Sequence, residues 1–149
     1  MSRGIYHRVV SSSRALTHWL PVVAWAALIF GLSSIPALST GLGTWDYVLR
    51  KCAHITEYAV LAFLLARVLA RALPAFVVGV FYAVSDEVHQ SFVRGRHPSP
   101  IDVGFDSVGL VLGLLVWRHQ RQQRDGRREQ QPHRRAEASR SRERAETGG

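Results

Sequence analysis

The stretch V-S-D-E-V-H-Q-S-F-V-R-G-R-H-P-S-P-I-D-V-G-F-D-S-V-G-L-V-L-G, from Val84 to Gly113, decides how the rest of the chain must be arranged. Apolar, helix-like sequence flanks it on both sides, yet the stretch itself is rich in charged residues. A charged side chain at the centre of a membrane helix costs about 2.5–3.5 kcal/mol on insertion scales. The chain must therefore pair these charges with one another or place them near water.

Apolar and charged residues are unevenly divided along the 149 residues. Almost all apolar runs lie between Ala15 and Trp117, whereas residues 118–149 contain ten arginines against five acidic residues. The net charge of +8 is therefore largely a property of this tail. A segment so polar cannot bury enough apolar surface to fold alone. We predict a short basic N-terminal segment (1–14), one membrane domain (15–117) and a disordered Arg-rich tail (118–149).

The membrane domain contains four apolar segments separated by loops rich in proline, glycine and serine. The segments are Ala15 to Leu32, Val48 to Leu69, Leu73 to Phe92 and Ile101 to Trp117. About 20 apolar residues suffice to cross the hydrocarbon core of a bilayer. The predicted fold is all-α, a bundle of four transmembrane helices with a disordered basic C-terminal tail. A signal peptide is the alternative for the first segment, but its apolar core is long and further membrane-length segments follow.

Polar residues lie at one end of each of the last three segments, and helical spacing puts them on shared faces. We call twelve of them, including two arginines of the connection after the third segment, the polar layer. Its members are Lys51, His54, Glu57, Tyr58, Asp86, Glu87, His89, Gln90, Arg94, Arg96, Asp102 and Asp106. Gly109 and Gly113 continue the face of the two aspartates in the fourth segment, where a missing side chain allows a neighbouring helix to pack closely.

Arginines in the loops predict the orientation of the helices. The N-terminal segment, the loop with Arg67 and Arg71, and the start of the tail all fall on one side of a four-helix arrangement. Because cytoplasmic loops carry an excess of Lys and Arg, both termini are predicted to be cytoplasmic. The polar ends of three segments then meet at the same depth on the extracytoplasmic side.

Three motifs in these segments resemble those of the VanZ-like family of bacterial membrane proteins. K-C-A-H-I-T-E-Y-A-V-L (Lys51 to Leu61) is similar to the family's K-x-x-H-x-x-E-Y-x-x-L. S-D-E-V-H-Q-S-F-V-R-G-R (Ser85 to Arg96) resembles S-D-E-x-H-Q-x-F-x-P-G-R, with Arg94 where the family usually has proline. D-V-G-F-D-S-V-G-L-V-L-G (Asp102 to Gly113) resembles D-V-x-x-D-x-x-G-x-x-x-G.

The resemblance covers roughly residues 16 to 117. It implies a multi-pass protein of the bacterial cytoplasmic membrane. The family takes its name from a member tied to low-level resistance to teicoplanin, a glycopeptide antibiotic. The resemblance does not imply a biochemical activity.

Two interpretations of the polar layer have similar weight. In the first, it binds or modifies an anionic, lipid-linked envelope molecule, with Arg94 and Arg96 holding a phosphate or carboxylate. A histidine (His54 or His89) would titrate near neutral pH, and a neighbouring carboxylate would orient it or act as a base. In the second, the same residues form an interhelical network that fixes helix register, with pairs such as Lys51 with an acidic residue and Arg96 with Asp102.

A metal site built from His54, Glu57, Glu87 and His89 is a weaker hypothesis, because these residues form no compact ligand motif and no cysteine assists them. No metal and no cofactor is predicted. The sequence has no Gly-rich phosphate loop, G-x-S-x-G or H-E-x-x-H motif, so no familiar enzyme class is indicated. The single cysteine, Cys52, is predicted to be a small buried hydrophobe.

The bilayer is one predicted partner, and the basic tail is expected to contact anionic lipid headgroups. Specific nucleic-acid binding is not expected, because the tail has no interleaved aromatic residues.

Overall fold

The computed structural model describes the backbone of residues 3–36, 44–96 and 99–147, and side chains within 17–36, 47–96 and 99–131 together with that of Trp45. Four helices follow one another: α1 (Arg3–Ser33), α2 (Thr44–Leu69), α3 (Ala72–Gln90) and α4 (Pro100–Thr147). No strand occurs in these ranges, and most of their residues are helical. The predicted all-α fold with four helices is confirmed.

Two helices, rather than the predicted four, contain stretches long and apolar enough to cross a membrane. Among the described residues these helices span Tyr47–Leu69 in α2 and Pro100–Gln131 in α4, and each contains an apolar window of 18 residues. The described apolar part of α1, Thr17–Ser33, has 17 residues and is about 26 Å long at 1.5 Å per residue. The 19 residues of α3 reach about 29 Å, but its last turns include Asp86 and Glu87. Both helices fall slightly short of the roughly 30 Å of a typical hydrocarbon core.

The tail differs from its prediction as a disordered segment. The backbone is helical to Thr147, the end of α4. The chain divides into two compact units, residues 1–115 and 116–149, and the second unit contains this part of the helix. Arg, Gln, Glu and Ala are strong helix formers, so a segment without a core of its own still favours helical backbone. Arg121 and Asp125, 4.0 Å apart, add an i,i+4 ion pair on its exposed surface.

In the first unit, α2 contributes the most buried side chains. Tyr58 is fully buried, and Leu61, Ala62, Leu65 and Ala66 continue the buried face toward the C-terminal end of the helix. Large apolar side chains are exposed elsewhere on the unit, including Leu73, Phe81 and Phe92. A soluble monomer rarely exposes so much apolar surface, whereas a lipid-facing surface is apolar by necessity.

Glycines allow α4 to approach its neighbours. A methyl group on Gly109 would collide with the carbonyl oxygen of Ile55, and one on Gly113 with that of Ala59. On α3, a methyl group on Gly79 would lie 2.5 Å from a methyl carbon of Leu110. The backbones of α2 and α4 are therefore in direct contact, as the small residues at these positions permit.

Cys52 is exposed, so its prediction as a buried side chain is wrong. Lys51, His54 and Tyr58 face into the bundle, and the adjacent position at Cys52 points away from it. Its apolar neighbourhood in the sequence reflects the exposed apolar surface of α2 rather than its buried face.

Candidate functional site

Two polar contacts join α2 to α4. Lys51 forms an ion pair with Asp102, and the Nδ1 atom of His54 lies 3.1 Å from Oδ1 of Asp106. Lys51 and His54 are three residues apart in α2. Asp102 and Asp106 are four residues apart in α4, so the two pairs lie about one helical turn from each other. Asp106 is only 1% exposed, which explains why it has a hydrogen-bonding partner.

Lys51 is also close to two aromatic rings. Its Nζ atom lies 5.0 Å from the ring centre of Tyr47 and 5.3 Å from that of Phe105. A cation over an aromatic face is attracted by the ring quadrupole. The two rings and Asp102 together hold the ammonium group at the N-terminal ends of α2 and α4.

A second set of contacts joins α1 to α3. Ser33 Oγ donates to Oδ2 of Asp86 at 2.8 Å, and Gln90 Nε2 donates to the same oxygen at 2.9 Å. Asp86 is 2% exposed and Gln90 4%. Asp86 accepts both bonds from neutral donors, and it forms no salt bridge with another described residue.

Arg96 connects this set to the end of α1. Its Nη1 atom donates to Oε1 of Gln90 at 3.0 Å, and its Nη2 atom donates to the carbonyl oxygens of Leu32 and Ile35, each at 3.3 Å. The predicted pair of Arg96 with Asp102 is wrong, because Asp102 binds Lys51 instead. Arg96 thus joins the α3–α4 connection to the last turn of α1.

Arg50, which was not among the predicted site residues, acts electrostatically on Arg96. Burial lowers the pKa of the Arg96 guanidinium, and the positive charge of Arg50 is the next largest cause of this shift. The carboxylates of Asp86, Glu87 and Glu57 act in the opposite direction, each more weakly than Arg50. Two guanidinium groups from different elements are therefore within electrostatic reach of each other. Neither forms an ion pair with a described carboxylate.

Glu87 contacts the start of α4. Its Oε1 atom accepts a hydrogen bond from the backbone N–H of Ser99 at 2.5 Å, and Ser99 Oγ accepts one from the N–H of Ile101 at 3.2 Å. A carboxylate at this position favours a helix N-terminus through the partial positive charge of its free N–H groups. Three buried atoms nevertheless lack a hydrogen-bonding partner among the described residues: Tyr58 Oη, Asp86 Oδ1 and Glu87 Oε2.

His89 has a serine within hydrogen-bonding distance, a relationship that the sequence does not reveal. Its Nε2 atom lies 3.0 Å from Ser34 Oγ, and its ring stacks on that of Phe30 with centres 4.1 Å apart. Ser34 Oγ also donates its only hydrogen to the carbonyl oxygen of Phe30 at 2.7 Å. The ring nitrogen must then donate to the hydroxyl, an arrangement that does not activate Ser34 as a nucleophile.

Most of the polar layer is therefore brought together, with two differences from its predicted membership. Arg94 is exposed and forms no hydrogen bond or ion pair with a described residue, and the half-buried Glu57 carboxylate has no hydrogen-bonding partner among the described residues. Ser33, Ser34 and Arg50 belong to the site although they were not predicted as members of the polar layer. The two serines lie in an S-S-x-P stretch that resembles the VanZ-like family, and all three residues lie at the predicted membrane depth of the layer.

No group of three or more His, Cys, Asp or Glu side chains within the described ranges is arranged to hold a metal ion. The predicted ligand candidates are divided among different contacts: His54 binds Asp106, Glu87 binds the N–H of Ser99, and His89 binds Ser34.

Comparison with known proteins gives one match. A family model described as VanZ/LLP1 matches residues 5–121. No curated protein and no solved structure gives a significant match to the chain.

Proposed function

Because the chain belongs to the VanZ/LLP1 family, we propose that it is a multi-pass protein of the bacterial cytoplasmic membrane whose polar layer binds an anionic, lipid-linked molecule of the cell envelope. Both termini lie in the cytoplasm in this proposal, and the polar layer faces outward. The two membrane-length helices and the apolar exterior support the membrane location.

All four helices cross the membrane in the proposed arrangement. The apolar parts of α1 and α3 are short by only a few ångströms, and a bilayer accommodates such a mismatch by local thinning at modest cost. The short apolar parts of both helices end at the polar layer, where Ser33 of α1 contacts Asp86 of α3. Polar groups at this depth would lie near the headgroups rather than at the bilayer centre.

The single observation that carries the binding function is that the Arg96 guanidinium, on which the positive charge of Arg50 acts, contacts neutral acceptors and no described carboxylate. The carboxylates of Asp102 and Asp106 are already occupied by Lys51 and His54. A phosphate or carboxylate of a ligand would relieve the repulsion between the two guanidinium groups. Guanidinium groups also match the planar, two-point geometry of such anions.

A structural role is the second candidate, and the interhelical contacts favour it. Lys51 with Asp102, His54 with Asp106, and Ser33 with Asp86 each connect two different helices. Single contacts of this kind between membrane helices contribute about 0.6 kcal/mol on average. A layer of them would fix helix register without any ligand.

The experiment that separates these roles compares Arg50→Gln with Arg71→Gln in a bacterial host lacking its own copy. Arg71 is an exposed arginine that lies between α2 and α3, away from the polar layer. Membrane abundance and survival under teicoplanin, or under another cell-wall-directed antibiotic, are measured for each variant. We expect Arg50→Gln to retain normal abundance and lose protection, and Arg71→Gln to retain both.

Normal abundance of Arg50→Gln together with unchanged survival would contradict the binding function. Loss of abundance would favour the structural role, provided that Asp102→Asn, which removes the carboxylate paired with Lys51, is lost in the same way. Arg50→Lys keeps the charge without the planar fork. Partial protection by this variant would separate a need for charge from a need for guanidinium geometry.

A further inference from the structure

An open apolar groove runs along one side of the bundle. It has a volume of about 520 Å³ and lies among α1, α2 and α3. Trp19 and Phe30 mark its extent along α1, Leu61 and Leu65 of α2 form its buried floor, and Val78 and Tyr82 of α3 form the opposite wall. The one polar group at this wall is satisfied internally, since Tyr82 Oη donates to the carbonyl oxygen of Ala26 at 2.6 Å.

The dimensions of the groove fit one hydrocarbon chain. Trp19 and Phe30 are 11 residues apart on α1, which corresponds to about 16 Å of helix. This length is close to half of the roughly 30 Å hydrocarbon core, the depth of one leaflet. A helix of the same length and about 10 Å in diameter would occupy roughly 1,300 Å³. The groove is therefore too small to enclose a helix of a second copy or of another protein.

One end of the groove adjoins the polar layer. Phe30 lines the groove and stacks on His89, which lies 3.0 Å from Ser34 Oγ. Two residues further along α1, the carbonyl oxygen of Leu32 accepts a hydrogen bond from Arg96. A rise of about 3 Å along the helix axis thus separates Phe30 from the residue that binds the Arg96 guanidinium.

From this continuity we propose that the groove seats one chain of an anionic lipid whose headgroup lies at Arg50 and Arg96. The inference rests on the proposed function, since the lipid would be the ligand of the polar layer. The protein would then recognise a hydrocarbon chain of the lipid as well as its headgroup. In a bilayer, binding in the groove gains no hydrophobic free energy over the surrounding lipid, so selectivity comes from packing in the groove and from charge at its end.

The test uses purified full-length protein and native mass spectrometry with two lipids of identical chains, phosphatidylglycerol and phosphatidylcholine. Ala27→Trp fills the groove, and Val23→Trp fills it from a second position, one turn away. Ala53→Trp is the matched control, because Ala53 is also exposed on a helix but lies outside the groove. Arg50→Gln removes one of the two guanidinium groups. Circular dichroism checks that each variant remains helical.

We expect either groove-filling variant to weaken the binding of both lipids about fivefold, through lost packing, while Ala53→Trp changes neither. We expect Arg50→Gln to reduce only the preference for phosphatidylglycerol. Wild-type affinity in both groove-filling variants, or an equal loss in Ala53→Trp, would overturn the inference. So would a dimer that disappears in Ala27→Trp while lipid affinity is unchanged, since the occupant would then be a second copy.

The two proposals fail in different ways. If Arg50→Gln leaves the lipid preference intact while the groove-filling variants weaken the binding of both lipids, the proposed anion site is wrong and the proposed lipid groove is supported. If the preference is lost in Arg50→Gln but the groove-filling variants bind both lipids normally, the proposed lipid groove is wrong and the proposed anion site is supported.

Discussion

Replacing Gly113 with alanine should separate α2 from α4 and weaken the contacts of the polar layer. A methyl group at this position would lie 2.8 Å from the carbonyl carbon of Ala59 and closer still to its oxygen. The obstructing atoms belong to helical backbone and cannot rotate away as a side chain would. α4 must therefore move outward by roughly 1 Å to restore ordinary van der Waals contact.

The size of the effect follows from two contributions. Overpacking against a rigid neighbour costs about 1–3 kcal/mol. A displacement of about 1 Å would also lengthen the contact of His54 with Asp106, now 3.1 Å, beyond hydrogen-bonding range. The loss of such a contact between membrane helices costs about 0.6 kcal/mol on average. We expect a total loss of about 2–3 kcal/mol in the free energy of unfolding.

The assay is reversible denaturation of the full-length protein in mixed micelles, followed by tryptophan fluorescence. Gly104→Ala is the matched control, since Gly104 lies in the same helix and a methyl group there would meet no atom within 4 Å. Alanine is the better helix former by about 1 kcal/mol, so the control should be neutral or slightly more stable. Equal stability of the two variants would refute the close approach of α2 and α4.

Three further expectations concern single contacts. In a double-mutant cycle of Lys51→Met and Asp102→Leu, we expect each single variant to be less stable than the wild type. The coupling free energy between the two positions should be about 0.6–1.7 kcal/mol. A coupling of zero would mean that the ion pair contributes nothing to stability. Tyr82→Phe removes the hydroxyl that donates to α1 at 2.6 Å and should lower stability by about 1 kcal/mol in the same denaturation assay. Ala70, after the end of α2, has a φ of 55°, so Ala70→Gly should raise the midpoint of thermal unfolding by relieving about 1 kcal/mol of backbone strain; a lowered midpoint would contradict this.

The faces of the helices could be predicted from spacing alone. Lys51, His54 and Tyr58 point inward because residues three and four apart share a helical face. The glycines at 109 and 113 follow the same rule on α4, and they meet the backbone of α2. The identity of each partner could not be predicted, because the carboxylate that Lys51 binds depends on which helices are neighbours and on their relative heights.

The contacts of Arg96 show a second limit of the sequence. Its acceptors include the carbonyl oxygens of Leu32 and Ile35, which have no signature in a side-chain pattern. Arg50 was overlooked for a related reason, since only the folded chain brings it near Arg96. The helical backbone of the tail was missed because composition reports the absence of a core, whereas local propensity decides the backbone conformation.

The outward orientation of the polar layer is tested most directly by cysteine labelling in intact cells. In a Cys52→Ser background, Arg94→Cys places an exposed thiol in the α3–α4 connection, and Arg124→Cys places one in the tail. With a membrane-impermeant maleimide, we expect Arg94→Cys to be labelled in intact cells and Arg124→Cys only after the membrane is permeabilised. Labelling of Arg124→Cys but not Arg94→Cys in intact cells would place the polar layer in the cytoplasm and contradict the proposed binding of an outer envelope molecule.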